Sequence, residues 1–197
     1  SNTTIVPEPE VKVLGITLDN KLDFKAHVSG ICMKAARQLN ALRRLSRLLD
    51  LASRMAIFNA FILSNFNYCP LIWHSCGKAS ADKLEKIQYR ALKFVYRSKD
   101  TYENLLARAG RSTLTVERTR KIALEVHKIV HQNAPEQLKN LVTLKTSKYD
   151  LRETHKLDPP GTITAKYGTH SFRHQAAAIW NNLPNETRTT TDLSHFK

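Results

Sequence analysis

The sequence predicts a mainly α protein: a helical bundle with one short β-strand at its N-terminal end and an irregular C-terminal extension. Three observations carry that reading. Apolar residues recur every three or four positions through most of 23–145, a lone β-branched run occupies 11–18, and Thr, Lys, Tyr, Gly and Pro gather in 146–170. The expected organisation is therefore a strand-bearing segment at 1–22, a helical domain at 23–145, a linker or loose hairpin at 146–170 and a helical extension at 171–197.

Val11-Lys12-Val13-Leu14-Gly15-Ile16-Thr17-Leu18 reads as one strand, closed by the turn residues Asp19-Asn20. A single strand leaves backbone donors and acceptors unpaired, so its sheet is expected to lie outside this chain. Phe24, Val28, Ile31, Ala35, Leu39, Leu42 and Leu49 form one stripe of a long amphipathic helix at 24–49, roughly 39 Å in length at about 1.5 Å per residue. Arg37, Arg43, Arg44 and Arg47 fall on the side away from that stripe. Asp50 is placed to cap a second, more apolar helix running to the Cys69-Pro70 break.

A third helix is expected from about Ser80, with Leu84, Ile87, Ala91, Phe94 and Val95 facing inward. Thr101 caps a short helix that stops at Gly110, and Thr115 opens another whose inner face carries Ile122, Val126, Ile129 and Val130. The helical domain ends near 135–144. After the Asp158-Pro159-Pro160-Gly161 turn, a last helix covers 172–183 with Trp180, and Asp192-Leu193-Ser194 starts another. The first residues, Ser1-Asn2-Thr3-Thr4, lack both an initiating Met and the order of a signal peptide, so both ends are expected to be interior points of a longer sequence.

Composition narrows the function classes. Of 197 residues, 31 are Lys or Arg against 17 Asp or Glu, giving a net charge of +14. A pI near 9.9 points to a polyanionic partner or an anionic membrane surface. Mean hydropathy is -0.39, and no apolar run approaches the roughly 18 residues of a membrane span, so no membrane partner is expected. Cys32, Cys69 and Cys76 are odd in number and unevenly spaced, as expected of reduced thiols in the cytoplasm or nucleus rather than of a secreted protein.

The strongest physical signal is on the third helix. Lys83, Lys86, Arg90, Lys93 and Arg97 step by three, four, three and four along one face, with Glu85 the nearby opposing charge. Like charges at these spacings each cost a helix about 0.2–0.5 kcal/mol, so the stripe is easier to understand if phosphates meet it. A plain solvated face is the competing explanation. Other chemistry is poorly served. His127 and His131 have metal-ligand spacing but lack the Glu of a zincin and a third ligand, and Cys69, His74 and Cys76 match no finger, so no metal site or cofactor is expected. There is no Gly-rich phosphate loop or nucleophile elbow, and no small-molecule substrate is indicated. Two-metal polymerase chemistry needs closely placed Asp residues, yet no two of Asp19, Asp23, Asp50, Asp82, Asp100, Asp150, Asp158 and Asp192 are adjacent.

Several segments together resemble the C-terminal part of reverse transcriptases from jockey-type non-LTR retrotransposons. They are residues 11–22 (Val-Lys-Val-Leu-Gly-Ile-Thr-Leu-Asp-Asn-Lys-Leu) with Phe24 and His27, then Asn59-Ala60-Phe61-Ile62-Leu63-Ser64 leading to Asn67-Tyr68-Cys69-Pro70-Leu71-Ile72-Trp73. Leu84-Glu85-Lys86-Ile87-Gln88 with Arg90-Ala91-Leu92 follow, and Tyr167-Gly168-Thr169, Ser171-Phe172-Arg173 and Ile179-Trp180-Asn181-Asn182-Leu183-Pro184 complete the set.

The resemblance implies that the Leu-Gly strand ends a catalytic palm, with Leu14 and Gly15 beside the primer end, and that the following helices form the thumb that grasps an RNA template paired with a DNA primer. It also implies that the aromatic-x-Asp-Asp motif and the Mg2+ it holds belong to a palm before Ser1, so this chain is not expected to polymerise DNA by itself. Lys83, Lys86, Arg90, Lys93 and Arg97 are the leading backbone-binding residues, with Arg37, Arg43, Arg44 and Arg47 second. The alternative is a decayed or domesticated remnant that acts as a helical protein-interaction module.

Overall fold

Two positive φ angles turn the expected single strand into a hairpin. In the computed structural model, which describes residues 8–45, 48–131, 134–145 and 155–196, Leu14 (φ 47°) and Gly15 (φ 85°) form a two-residue turn. β1 (Glu10–Val13) folds back on β2 (Ile16–Asp19), with Glu10 opposite Asp19 and Val13 opposite Ile16. The strand thus finds its partner inside the chain, which corrects the expectation of an unpaired strand. The left-handed conformation is costly for a leucine. Tyr68 ties the turn down by donating its hydroxyl hydrogen to the Leu14 carbonyl at 2.6 Å.

Asp19 then sets the entry to the first helix. Its carboxylate accepts from the N–H groups of Lys21, Asp23 and Phe24 at 2.9, 3.0 and 2.7 Å. α1 (Lys25–Arg44) buries Val28, Ala35 and Leu39 from the expected stripe. It ends five residues before Leu49 because Asp50 needs extended backbone (ψ 178°) to cap α2 (Leu51–Ile57) through the Ser53 N–H at 2.8 Å. The second helix is one rod, but its centre, Phe58–Leu63, is π-helical before α3 (Ser64–Asn67). The wider turn leaves carbonyls for side chains to collect. Ser64 donates to Ala60 O at 2.6 Å, and the Asn65 amide donates to Phe61 O and, across to α1, to Gln38 Oε1 at 2.8 Å.

α4 (Lys78–Tyr96) starts two residues before the expected Ser80 and buries Leu84, Ala91, Leu92 and Val95 against α1 and the α2–α3 rod. Each buried Leu or Val contributes roughly 1.5–3 kcal/mol of burial. Buried Arg54 fastens the bundle at one end, donating from Nε to Val95 O at 2.7 Å and from Nη1 to Leu49 O at 2.8 Å. α5 (Tyr102–Arg108) is capped by Thr101, and Gly110 (φ 60°) terminates it while Arg111 N–H reaches back to Leu106 O at 3.0 Å. These elements form one unit, 1–115.

The second unit covers 116–197. It contains nearly all of α6 (Leu114–Val130), then α7 (Glu136–Lys139), a π-helical turn (Ala165–Thr169), α8 (Phe172–Asn181), α9 (Asn185–Thr189) and α10 (Leu193–Phe196). α6 begins at Leu114, one residue before the expected Thr115. Residues 146–154 lie outside the described residues; in the part that follows, Leu157 is fully buried and bridges Leu144. Asn181 clamps both backbone groups of Leu157 at 2.9 Å, and Trp180 donates to His155 O at 2.6 Å.

Candidate nucleic-acid interface

α4 keeps its cations together because its apolar residues monopolise the other side. Successive residues turn about 100°, so spacing of three and four holds Lys83, Lys86, Arg90, Lys93 and Arg97 within roughly 80° of one another. Lys83, Lys86 and Arg90 are exposed, and Lys93 is half-buried with Nζ 4.3 Å from the centre of the Tyr89 ring. Arg97 caps the helix C-terminus in a left-handed conformation (φ 48°), its Nη2 3.5 Å from Leu49 O. Among the described residues no carboxylate lies within ion-pair distance of Lys83, Lys86, Arg90 or Lys93.

Glu85 is not the counter-charge that its position in the sequence suggests. It lies roughly 200° around the helix from Lys83. Its carboxylate accepts from Tyr102 Oη at 2.5 Å, Leu114 N–H at 3.1 Å, Thr115 N–H at 2.9 Å and Thr115 Oγ1 at 3.1 Å. Glu85 therefore serves the start of α6 and α5, where a negative charge at a helix N-terminus is favourable. Asp82, one turn before Lys86, is the acidic residue on the stripe's own margin and was overlooked in the sequence; it is exposed and forms no ion pair among the described residues.

The arginines of α1 divide. Lys83 acts electrostatically on Cys32, whose thiol burial pushes up and Lys83 pulls partly back. At the far end Arg54 joins Val95 O to Leu49 O and Arg97 also reaches Leu49 O, so α1 and α4 run side by side in the same direction. Arg43 follows Cys32 by eleven residues and so points within about 20° of it, toward the stripe, whereas Arg37 and Arg44 point roughly 120–140° away. All three are exposed. Arg43 and Arg44 also sit in the last turn of α1, where cations offset the helix dipole. Arg47 lies outside the described residues. Lys25, exposed and seven residues before Cys32, shares the stripe-facing side with Arg43; its seven-residue spacing from Cys32 was the signal available for it in the sequence.

Leu14 and Gly15 stand at the other end of this unit, Leu14 86% exposed at the tip of the hairpin. Gly15 edges a cleft of about 540 Å3 with Lys12, Thr17, His27, Lys34 and Tyr68. His27 is buried, and its Nδ1 accepts from Thr17 N–H at 3.3 Å. An accepting Nδ1 leaves the ring's proton on Nε2, and burial pushes the pKa below the usual histidine value. Among the described residues no group of three or more His, Cys, Asp or Glu side chains is placed to share a metal, and no helix is long and apolar enough to cross a membrane. Comparison with protein-family models, curated proteins and solved structures finds no match for this chain.

Proposed function

We propose that this chain is the helical, thumb-like part of an RNA-directed DNA polymerase of the non-LTR retrotransposon kind, and that it binds the backbone of a template–primer duplex without performing catalysis itself. The observation that carries the reading is the row of exposed Lys83, Lys86 and Arg90 with half-buried Lys93 on α4, free of carboxylate partners among the described residues while Glu85 is committed to another face. Phosphates would relieve the mutual repulsion of these cations. Recognition is by charge and shape, because the deep, narrow major groove of an A-form-like RNA–DNA duplex keeps helix side chains from the base edges and leaves them the backbone oxygens.

In this reading α4 is the main rail, with Arg43 and Lys25 on the adjoining side of α1, and the hairpin tip at Leu14 and Gly15 lies toward the primer end. Any Mg2+ and the catalytic carboxylates belong to a palm domain that this chain would dock against. Replacing Lys83, Lys86, Arg90, Lys93 and Arg97 together with Gln is expected to weaken binding to an RNA–DNA duplex by a similar factor for every sequence tested. Unchanged affinity in the folded variant removes the stripe from the interface.

A protein-interaction module is the second reading, and one observation favours it: β1 is exposed along its whole length, with Val11 55% and Val13 47% accessible and Leu14 of the adjoining turn 86%. An apolar free edge of this kind is a template for another strand. Stable oligomers in sedimentation, together with weak duplex binding at low salt, would put this reading first.

A further inference from the structure

The pair His127 and His131, one turn apart on α6, has the spacing of a metal site but is used differently. Nε2 of His127 lies 2.7 Å from Thr190 O, and Nε2 of His131 lies 3.2 Å from Arg188 O. A carbonyl only accepts, so in both rings Nε2 carries the hydrogen. The two imidazoles thereby satisfy backbone carbonyls at the C-terminal end of α9, which no further helical turn serves. His127 is fully buried, with the Phe196 ring 4.4 Å, the His131 ring 4.5 Å and the Trp180 ring 6.3 Å from its centre. Trp180 and Phe196 also face one another at 5.9 Å, so α8 and α10 close over the ring from two sides.

With its hydrogen on Nε2, neutral His127 leaves Nδ1 bare, and Nδ1 is buried without a hydrogen-bond partner. A second proton would create an N–H with no acceptor and place a full charge between two aromatic rings. The groups facing it divide in sign. From α6 itself comes His131, and the segment before α8 brings His155, whose ring is 5.9 Å from that of His131. The C-terminal segment contributes the buried Arg188 and the carboxylate of Asp192, which His195 and Ser194 already engage. Burial drives the His127 pKa down, the Thr190 contact and Asp192 oppose it and His131 adds to it, with a net lowering.

We propose that the C-terminal segment 185–196 is an acid-released clasp: it closes on α6 when His127 is neutral and opens when His127 takes up a proton. The sign follows from linkage. The closed form resists the proton and the open form accepts it near the ordinary value of about 6.5, so closure is complete above that pH and weakens below it, by up to about tenfold in the closing equilibrium per pH unit. Nothing in this inference depends on nucleic-acid binding.

Hydrogen–deuterium exchange on the full chain, corrected for the intrinsic pH dependence of exchange, tests it at peptide resolution. Between pH 7.5 and 5.5, protection of 185–196 is expected to fall about tenfold, while that of α4 stays level. In His127→Gln, whose amide donates to Thr190 O but does not titrate, the fall disappears, whereas His131→Gln retains it. Equal protection at both pH values, or a His127→Gln variant that follows the wild type, overturns the proposal. Should His127→Gln fail to fold, NMR titration of the His127 ring in the wild type decides: a midpoint below the ordinary histidine value coincident with loss of protection supports the clasp, and a midpoint at or above it does not.

Discussion

Glu85→Ala separates two roles that the sequence alone leaves confounded: counterweight to the α4 cations or anchor for the neighbouring helices. The carboxylate receives four hydrogen bonds, from Tyr102 Oη, Leu114 N–H, Thr115 N–H and Thr115 Oγ1, at 2.5–3.1 Å. Two of these satisfy backbone donors at the start of α6 that have no helical acceptor. Loss of a cap of this type costs about 0.5–2 kcal/mol, and loss of a negative charge at a helix N-terminus about 0.3–1 kcal/mol. Because Glu85 is only half-buried, water recovers part of the loss, and a total near 2 kcal/mol is expected. At about 2–4 °C per kcal/mol for a chain of this size, the melting temperature should fall by about 4–8 °C in far-ultraviolet circular dichroism. Duplex affinity of the folded variant should stay within about twofold of the wild type, since one distant charge changes little once screened. A variant that melts with the wild type and binds duplex several times more tightly would refute the reasoning and restore Glu85 as the counter-charge of the stripe.

Three other perturbations probe the frame that holds the stripe. Leu39→Ala removes a fully buried side chain between α1 and the rest of the bundle and should cost about 2–5 kcal/mol in urea unfolding. Asp19→Ala deprives Lys21, Asp23 and Phe24 N–H of their acceptor and should cost about 1 kcal/mol. The carboxyl of Asp19, which burial alone would raise, is held below the usual value by those backbone N–H groups. Its contribution is therefore present above the unfolded value of 3.8 and fades as pH falls through the lower folded one, a loss that Asp19→Ala should lack in acid titrations. Gly110→Ala forces a side chain into the left-handed region (φ 60°) and should lower stability by roughly 1 kcal/mol, read from the urea midpoint.

The helices were legible because their signals are local. Stripes of apolar residues at three and four predicted the buried faces of α1 and α4, and Asp50 and Thr101 cap the helices they were expected to cap. The hairpin was hidden by its turn, since Leu14 at positive φ is a conformation leucine rarely adopts, and it is supported by Tyr68, 54 residues away. Long-range hydrogen bonds of this kind leave no trace in spacing. The same limit applies to the site. The α4 stripe follows from periodicity, but the commitment of Glu85 to α6 depends on where α5 turns the chain. The split between Arg43 and its neighbours Arg37 and Arg44 depends on which side of α1 meets α4. The π-helical centre of the second rod was also invisible, because Ser64 and Asn65 read as ordinary polar residues until their carbonyl partners are known.

The central claim is that the α4 cations meet a phosphate backbone, and the salt dependence of duplex binding tests it most directly. If Lys83, Lys86, Arg90, Lys93 and Arg97 neutralise about five phosphates, log affinity should fall against log salt concentration with a slope near -4.5. A slope near zero in the wild-type chain would contradict the account.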